Sequence, residues 1–524
     1  MNAAPTRRKG SEAGRAWSDT AWLVAGSVAF VALFSYASLW TSKGPAVAAT
    51  VALAALALGG GLWRARTTPG SIAVVLAGFG LYAVYADYTR PGERNTDPSA
   101  HVAYVTWLLE HHSLPPADHC VACHHPPVYY VVAAAVHRLA DWTHLAEPTL
   151  ALQGLAVVLF AVFLFFSVRS VDLLLPTPSL RMLATSLVVF WPSSVINSIR
   201  ISNDLMLYAF VAAVFHAVVL WSMRGGRRFL MAACIATGAA ILVKSNALVL
   251  VVVLCAIVAR RLWRASDRKA VLRDAGLPAA VLVVFSLGAE LVRGKRGDAL
   301  PAKVLGTAYE PIPSQTTQRT IAYYLTFDPV AVVKKPYVEM RQFRSQEPTF
   351  WNHLIKSSLF GTRNPALMQR VGYKEPSAEL ATAANHALLG LMAVMLVGAV
   401  VTRRDRSEQR ALCLVHVGAF TASSMALHLV APLGYHADFR LIFPVVVPMS
   451  VLFALAVHGM RRRGLAIWHT GYIVANVFVV LSIAYFMPFT FPAKPAAGMH
   501  GLRPRPVMPF RPQRGLPPAG SAQP

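Results

Sequence analysis

Apolar stretches of about 20 residues, the length a helix needs to cross a hydrocarbon core of roughly 30 Å, recur along almost the whole chain. They run from residues 21–40 near its start to residues 467–486 near its end. Backbone groups in lipid have no water to bond, so a chain this apolar spans as helices, and the period-2 alternation of barrel strands is absent. The pattern predicts an all-α transmembrane bundle of about eleven to thirteen helices. Two long polar interruptions, at about residues 88–125 and 293–384, read as external loops of a membrane domain covering residues 1–487. The second loop carries the runs IAYYLTFDPVAVV and FWNHLIKSSLFG, in which Trp351, Leu354, Ile355 and Leu359 recur at helical spacing while Lys356 falls elsewhere. That spacing predicts short helices lying at the membrane interface. Residues 229–259 are long enough for a hairpin of two short helices turning near Lys244, Ser245 and Asn246. The Pro/Arg-rich tail, residues 488–524, has the composition of a disordered segment.

Only 14% of the 524 residues are charged, against roughly a quarter in soluble domains. The net charge is nevertheless +25. Nucleic acid does not explain that surplus, because the basic residues are neither gathered on one domain nor interleaved with aromatics. They punctuate the helices instead, at Arg64 and Arg66, at Arg224, Arg227 and Arg228, at Arg260, Arg261 and Arg264, at Arg403, Arg404 and Arg406, and at Arg461, Arg462 and Arg463. Under the positive-inside rule these are cytoplasmic loops, which puts the two long polar loops outside. The first apolar segment, preceded by Arg7, Arg8, Lys9 and Arg15, is too long for a signal-peptide core and reads as an uncleaved anchor. One count does not close. Asn203 and Asp204 fall outside and residues 169–181 inside, which leaves the short apolar run 128–139 one crossing too many. Either that run is re-entrant or interfacial, or a neighbour does not span.

Ionisable groups near membrane depth are expensive, so they are the first candidates for chemistry. Asp97 precedes Pro98, a good helix start, and His101 follows one turn later on the same face. The pair is either a cap or the beginning of an active site. Asp204 belongs either to a cap region opened by Ser202 and Asn203 or to a functional centre. Arg440, just outside a helix start in ADFRLIFP, either snorkels to the interface or offers a guanidinium fork to phosphate. Lys244 at the hairpin turn, and Lys334 and Lys335 in the second loop, are further phosphate candidates. Three of the five cysteines, Cys234, Cys255 and Cys413, sit in apolar helices as small hydrophobes. Cys120, Cys123 and His124 form Cys-x-x-Cys-His, open to four readings: c-type haem attachment, a disulfide, zinc with His119, His124 or His111, or two unmodified thiols.

TDPSAH, followed by an amphipathic stretch, LP and HHPPVYYVV, resembles the first external loop of the GT-C glycosyltransferases. It is most similar to the protein O-mannosyltransferase and aminoarabinose-transferase branch in its bacterial members. FWPSSVINSIRISNDLMLYAF, ILVKSNALVLV and YHADFRLIFPVVVP extend the similarity, through short motifs, from about Asp97 to Pro448. The resemblance implies a GT-C-like fold in a bacterial inner membrane. It also implies an inverting transfer of a sugar from a polyprenyl-phosphate carrier to a protein, lipid or glycan at the outer face. Such a transfer asks for a base to take the acceptor's hydroxyl proton and for cations to steady the departing lipid phosphate. The resemblance gives Asp97 the first part, with His101 beside it, and Arg440 the second, with Lys244, Asp204, Lys334 and Lys335 as further donor-site candidates. One departure weakens the case for a divalent metal held by a carboxylate pair: the family often has two adjacent acidic residues where this chain has Asp97 and then Pro98. Two other classes stay open. A transporter or flippase of lipid-linked sugars would carry charges mid-helix and related halves, neither of which is evident. A haem redox protein would use Cys120, Cys123 and His124.

Overall fold

The computed structural model describes residues 10–89, 98–117, 119–294, 320–341, 344–345, 347–363, 377–405, 407–430 and 432–487. The tail 488–524 lies outside the described residues, as do residues 295–319 of the second loop. Among the described residues eleven helices are long and apolar enough to cross a membrane, and the protein is a multi-pass integral membrane protein. α1 (Gly10–Tyr36) and the short α2 (Leu39–Ser42) lead into α3 (Pro45–Arg64) and α4 (Pro69–Tyr88). The first polar loop carries α5 (Pro98–His111) and ends at α6 (Val128–Thr143). Next come α7 (Pro148–Leu174), α8 (Pro178–Phe190), α9 (Pro192–Asn197) and α10 (Asn203–Arg224). Proline opens α3, α4, α7, α8 and α9, where its missing N–H costs nothing and its fixed φ suits the helix. The chain continues through α11 (Arg227–Ile241), α12 (Val249–Arg264) and α13 (Arg268–Gly294). After the second loop, α17 (Ala378–Val401), α18 (Glu408–Val430), α19 (Val446–Arg462) and α20 (Ile467–Tyr485) complete the bundle.

Side-chain contacts fix the direction of each helix. A Cβ on Gly26 would fall 2.4 Å from Ala73 Cα, and one on Gly80 2.8 Å from Leu33 Cβ, so α1 and α4 run parallel in close contact, as small residues allow in lipid. Gly154 lies beside Thr50 and Gly61 beside Phe165, which makes α7 parallel to α3. Phe163 packs on Tyr208 and Ser170 reaches His216, so α10 runs the same way. Asp204, at the start of α10, therefore shares one end of the bundle with the starts of α3 and α7. The basic loops gather at the other end. There the Thr68 N–H and hydroxyl both donate to Asp172 at 3.2 Å, and Arg181 reaches the Thr68 hydroxyl. Arg260 and Arg264 hold Glu408 at 3.3 and 3.0 Å, and Arg463 donates to the Val401 carbonyl.

These directions close the count that the sequence left open. The Val128 N–H donates to the Leu242 carbonyl in the turn after α11, so α6 begins at the Asp204 end. α7 starts at that same end only a few residues after α6 stops, so α6 does not cross. It packs against α5 and α7 and exposes Leu139 and Trp142. With α8 and α11 as short crossings beside the eleven long ones, thirteen helices pass through the bundle among the described residues.

The second loop contains α14 (Ile321–Leu325), α15 (Pro329–Lys334) and α16 (Phe350–Phe360). It also holds the one sheet among the described residues, β1 (Val338–Arg341) flanked by β2 (Arg344–Ser345) and β3 (Thr362–Arg363). β1 is antiparallel to β2 and parallel to β3. α16 forms where the spacing predicts a helix and buries Leu354 and Leu359 of that spacing, but it is enclosed on its polar side as well. Asn352, His353, Lys356 and Ser357 are buried, while Trp351 and Ile355 are half-buried. Each inward group meets a polar partner, which is what burial of polar side chains requires. Asn352 bridges the N–H and carbonyl of Asp328 at 3.0 Å each, and Ser357 accepts from the Phe439 N–H. The Ser358 carbonyl accepts from the Trp191 indole and the Ser193 hydroxyl. α16 thus rests on the protein and carries the second loop down onto the bundle.

Candidate active site

Four segments meet at the end of the bundle opposite the basic loops. The first is the start of α10, where Ser202 in extended conformation caps the helix by accepting from the Asp204 N–H. The Ser202 hydroxyl donates in turn to one Asp204 oxygen at 3.1 Å. The non-helical residues just before it bring in Arg200, which is buried and donates to Asn197 at 3.3 Å. The second segment is the turn between α11 and α12, tied to α10 by the Asn203 amide donating to the Val243 carbonyl. This turn aims Lys244 at Asp204, with Nζ 2.5 Å from the carboxylate. The third is the one-turn 3-10 helix Phe439–Leu441 that carries Arg440. Asp438 caps it by accepting from the Arg440 N–H at 2.9 Å, and the Tyr208 hydroxyl donates to the Arg440 carbonyl at 2.6 Å.

The fourth segment is α5, which places His101 inside the site. Nδ1 of His101 is 2.9 Å from the Tyr130 hydroxyl, Tyr129 packs edge-on, and the His125 ring lies parallel at 6.5 Å. Burial is the main reason the His101 imidazole falls to about 3; Asp204 opposes that fall, and Lys244, Arg440 and Arg200 reinforce it. The imidazole is therefore neutral at physiological pH and suited to orienting a neighbour rather than to carrying charge. Three cations, Arg200, Lys244 and Arg440, face the two carboxylates of Asp204 and Asp438. Such a surplus of positive charge in a partly desolvated setting suits a phosphate, and guanidinium matches it with two parallel donors.

The structure thus brings His101, Asp204, Lys244 and Arg440 together. It does not bring in Lys334 and Lys335, which are exposed at the end of α15. Lys335 acts instead on a buried pair, Glu347 and Lys356, whose charged atoms are 2.5 Å apart. Asp97 lies outside the described residues. Cys120 and Cys123 form a disulfide. With both sulfurs joined, neither is free to add to a haem vinyl group or to bind zinc as thiolate, so those two readings of the motif give way to the disulfide. Among the described residues, no three His, Cys, Asp or Glu side chains cluster in a way that could hold a metal. Two residues of the site had no place among the sequence candidates. Arg200 was legible as an arginine in SIRISND, four residues before Asp204, and Asp438 as the acid two residues before Arg440.

Residues 140–293 match the dolichyl-phosphate-mannose-protein mannosyltransferase family. The matched segment contains Arg200, Asp204, Tyr208 and Lys244, whereas His101, Asp438 and Arg440 reach the site from outside it. No curated protein matches the chain. Among solved structures, the chain is similar to ArnT from Cupriavidus metallidurans bound to undecaprenyl phosphate, with 13% identity, 79% of this chain and 76% of that chain covered, and a TM-score of 0.37. The apo state of the same ArnT gives 13% identity over 79% and 77%, with a TM-score of 0.35.

Proposed function

We propose that the protein is a membrane glycosyltransferase that takes a sugar from a polyprenyl-phosphate donor and passes it, with inversion, to an acceptor at the outer face of the membrane. The observation that carries this reading is the convergence of Arg200, Lys244 and Arg440 at one end of the bundle. The family match over the segment holding two of those cations supports the same class of donor. The basic loops at the opposite end favour an external position for the site under the positive-inside rule.

In the proposed reaction an acceptor oxygen attacks the anomeric carbon while the bond from that carbon to the phosphate oxygen breaks. Asp97 takes the hydroxyl proton as general base. The departing electron pair settles on the lipid phosphate, where fixed cations stabilise the charge that develops. Arg440 and Arg200 provide guanidinium contacts, and Lys244, steadied by Asp204, adds a point charge. Neutral His101 orients the acceptor side of the site.

The test is release of free polyprenyl phosphate by the purified protein in nanodiscs supplied with a lipid-linked sugar fraction, read by mass spectrometry. Glycans and glycolipids that disappear on deleting the gene identify the acceptor. Arg440→Ala should raise the donor concentration needed roughly 10- to 100-fold, the equivalent of losing a charge-assisted contact of about 1.5 to 3 kcal/mol. Movement of the lipid-linked sugar across the bilayer without release of lipid phosphate would mean a flippase instead.

A further inference from the structure

Arg440 does not stand alone on its turn. Its backbone N–H donates to Asp438 Oδ1 at 2.9 Å, and its Nε lies 4.0 Å from Asp438 Oδ2. The second oxygen of Asp438 has another partner far away in sequence: the Thr362 hydroxyl donates to it at 3.0 Å. Thr362 opens β3 immediately after α16, so this bond comes from the second external loop. A parallel tie lies one residue on, where the Phe439 N–H donates to the Ser357 hydroxyl of α16 at 2.9 Å. Asp438 is itself buried, at 2% exposure, which keeps both bonds away from competing water. The loop segment is in turn anchored to the bundle by the Trp191 and Ser193 bonds to the Ser358 carbonyl.

We infer that Asp438 is a positioning residue through which the docked second loop sets the posture of Arg440 toward the donor phosphate. The inference rests on the reading of Arg440 as a phosphate ligand. One carboxylate oxygen fixes the turn that carries the guanidinium, and the other fixes that turn to the loop. A loop that leaves its seat releases the Thr362 and Ser357 bonds together, and the Arg440 turn loses its external reference.

The test measures the affinity of the full-length protein for undecaprenyl phosphate in detergent micelles, with thermal unfolding recorded for each variant. Thr362→Val is nearly isosteric and removes only the loop's bond; it should weaken binding about tenfold, which is the scale of one hydrogen bond to a charged group, with little change in unfolding temperature. Asp438→Ala should weaken binding at least as much, and Thr362→Val added to it should have no further effect. Asp438→Asn keeps an acceptor for the Arg440 N–H and a polar contact for Thr362, and should stay within about threefold of wild type. Additive effects of Thr362→Val and Asp438→Ala, normal affinity in Thr362→Val, or an Asp438→Asn loss equal to that of Asp438→Ala would each overturn the inference. Arg440→Ala separates the two levels. Unchanged affinity in that variant removes the phosphate reading itself, whereas a large loss there beside a normal Thr362→Val removes only the coupling.

Discussion

One exchange of an oxygen for an NH₂ group separates the two readings of Asp97. Asparagine is about as good an N-cap as aspartate, so Asp97→Asn keeps the helix start and deletes only the capacity to take a proton. If Asp97 is the base, turnover should fall about 10² to 10⁴-fold while donor binding is kept; as a cap alone the change should be almost silent. Steady-state release of lipid phosphate beside donor titration reads both quantities. His101 carries a second prediction at this scale. Its folded-state value of about 3 lies below the ordinary 6.5, so between those values the unfolded chain binds the extra proton and the folded state does not. The stability it contributes is complete above pH 6.5 and is lost as pH falls toward 3, at about 1.4 kcal/mol per pH unit. His101→Gln should therefore flatten the acid limb of the unfolding temperature plotted against pH. His353, buried and lowered to about 4 mainly by desolvation, leaves a residual slope in that variant. An acid limb identical to wild type would show that His101 is not held neutral by its surroundings.

At the scale of elements, α16 turns on the pair of Glu347 and Lys356, with side chains only 5% and 1% exposed. Burial raises the Glu347 carboxyl and lowers the Lys356 ammonium, and each partner's charge offsets the other's loss of water. Lys356→Met should destabilise the protein by about 3 to 5 kcal/mol because it strands a buried carboxylate. The double variant Lys356→Met with Glu347→Leu should recover most of that in chemical unfolding. Equal destabilisation by the single and double variants would mean that packing, not the pair, holds the loop. The same helix marks how far the sequence could be read. The spacing of Trp351, Leu354, Ile355 and Leu359 was enough to place it, since periodicity reports a face and not the partner of that face. That the polar side was buried along with Leu354 and Leu359 depended on Asp328, Glu347 and Phe439, contacts made across the fold that no local pattern records. The site divides in the same way. Asp204, Lys244 and Arg440 stood out because ionisable groups are costly near lipid. Asp438 did not, because beside an arginine it resembles an ordinary turn cap, and only the bond from Thr362 distinguishes it.

Across the whole molecule, contacts between helices group the loops by end, and the basic residues distinguish one end from the other. Parallel contacts put Lys43, Thr89, Val128, Asp204 and Lys244 at one end, through the Lys43 bond to the Thr89 carbonyl, the Val128 bond to Leu242 and the pairing of Lys244 with Asp204. The arginine clusters at the ends of α3, α10, α12, α17 and α19 lie at the other end. Helix contacts set which loops share an end, the positive-inside rule sets which end faces the cytoplasm, and the two agree once α6 is taken out of the count, which favours the external site proposed above. The resulting prediction uses exposed positions on both polar loops, because Glu347, an obvious polar choice from the sequence, is buried in its ion pair. Single cysteines at Glu110 and at Lys334, both exposed, should react with a membrane-impermeant maleimide on intact cells. Cysteines at Arg264 and Arg403 should react only after permeabilisation. Labelling of the Glu110 and Lys334 positions on opposite faces would break the single external site, since the first loop brings His101 and the second brings Thr362 to the same cluster. Labelling of both only after permeabilisation would invert the bundle, and the donor phosphate would then have to be sought in the inner leaflet.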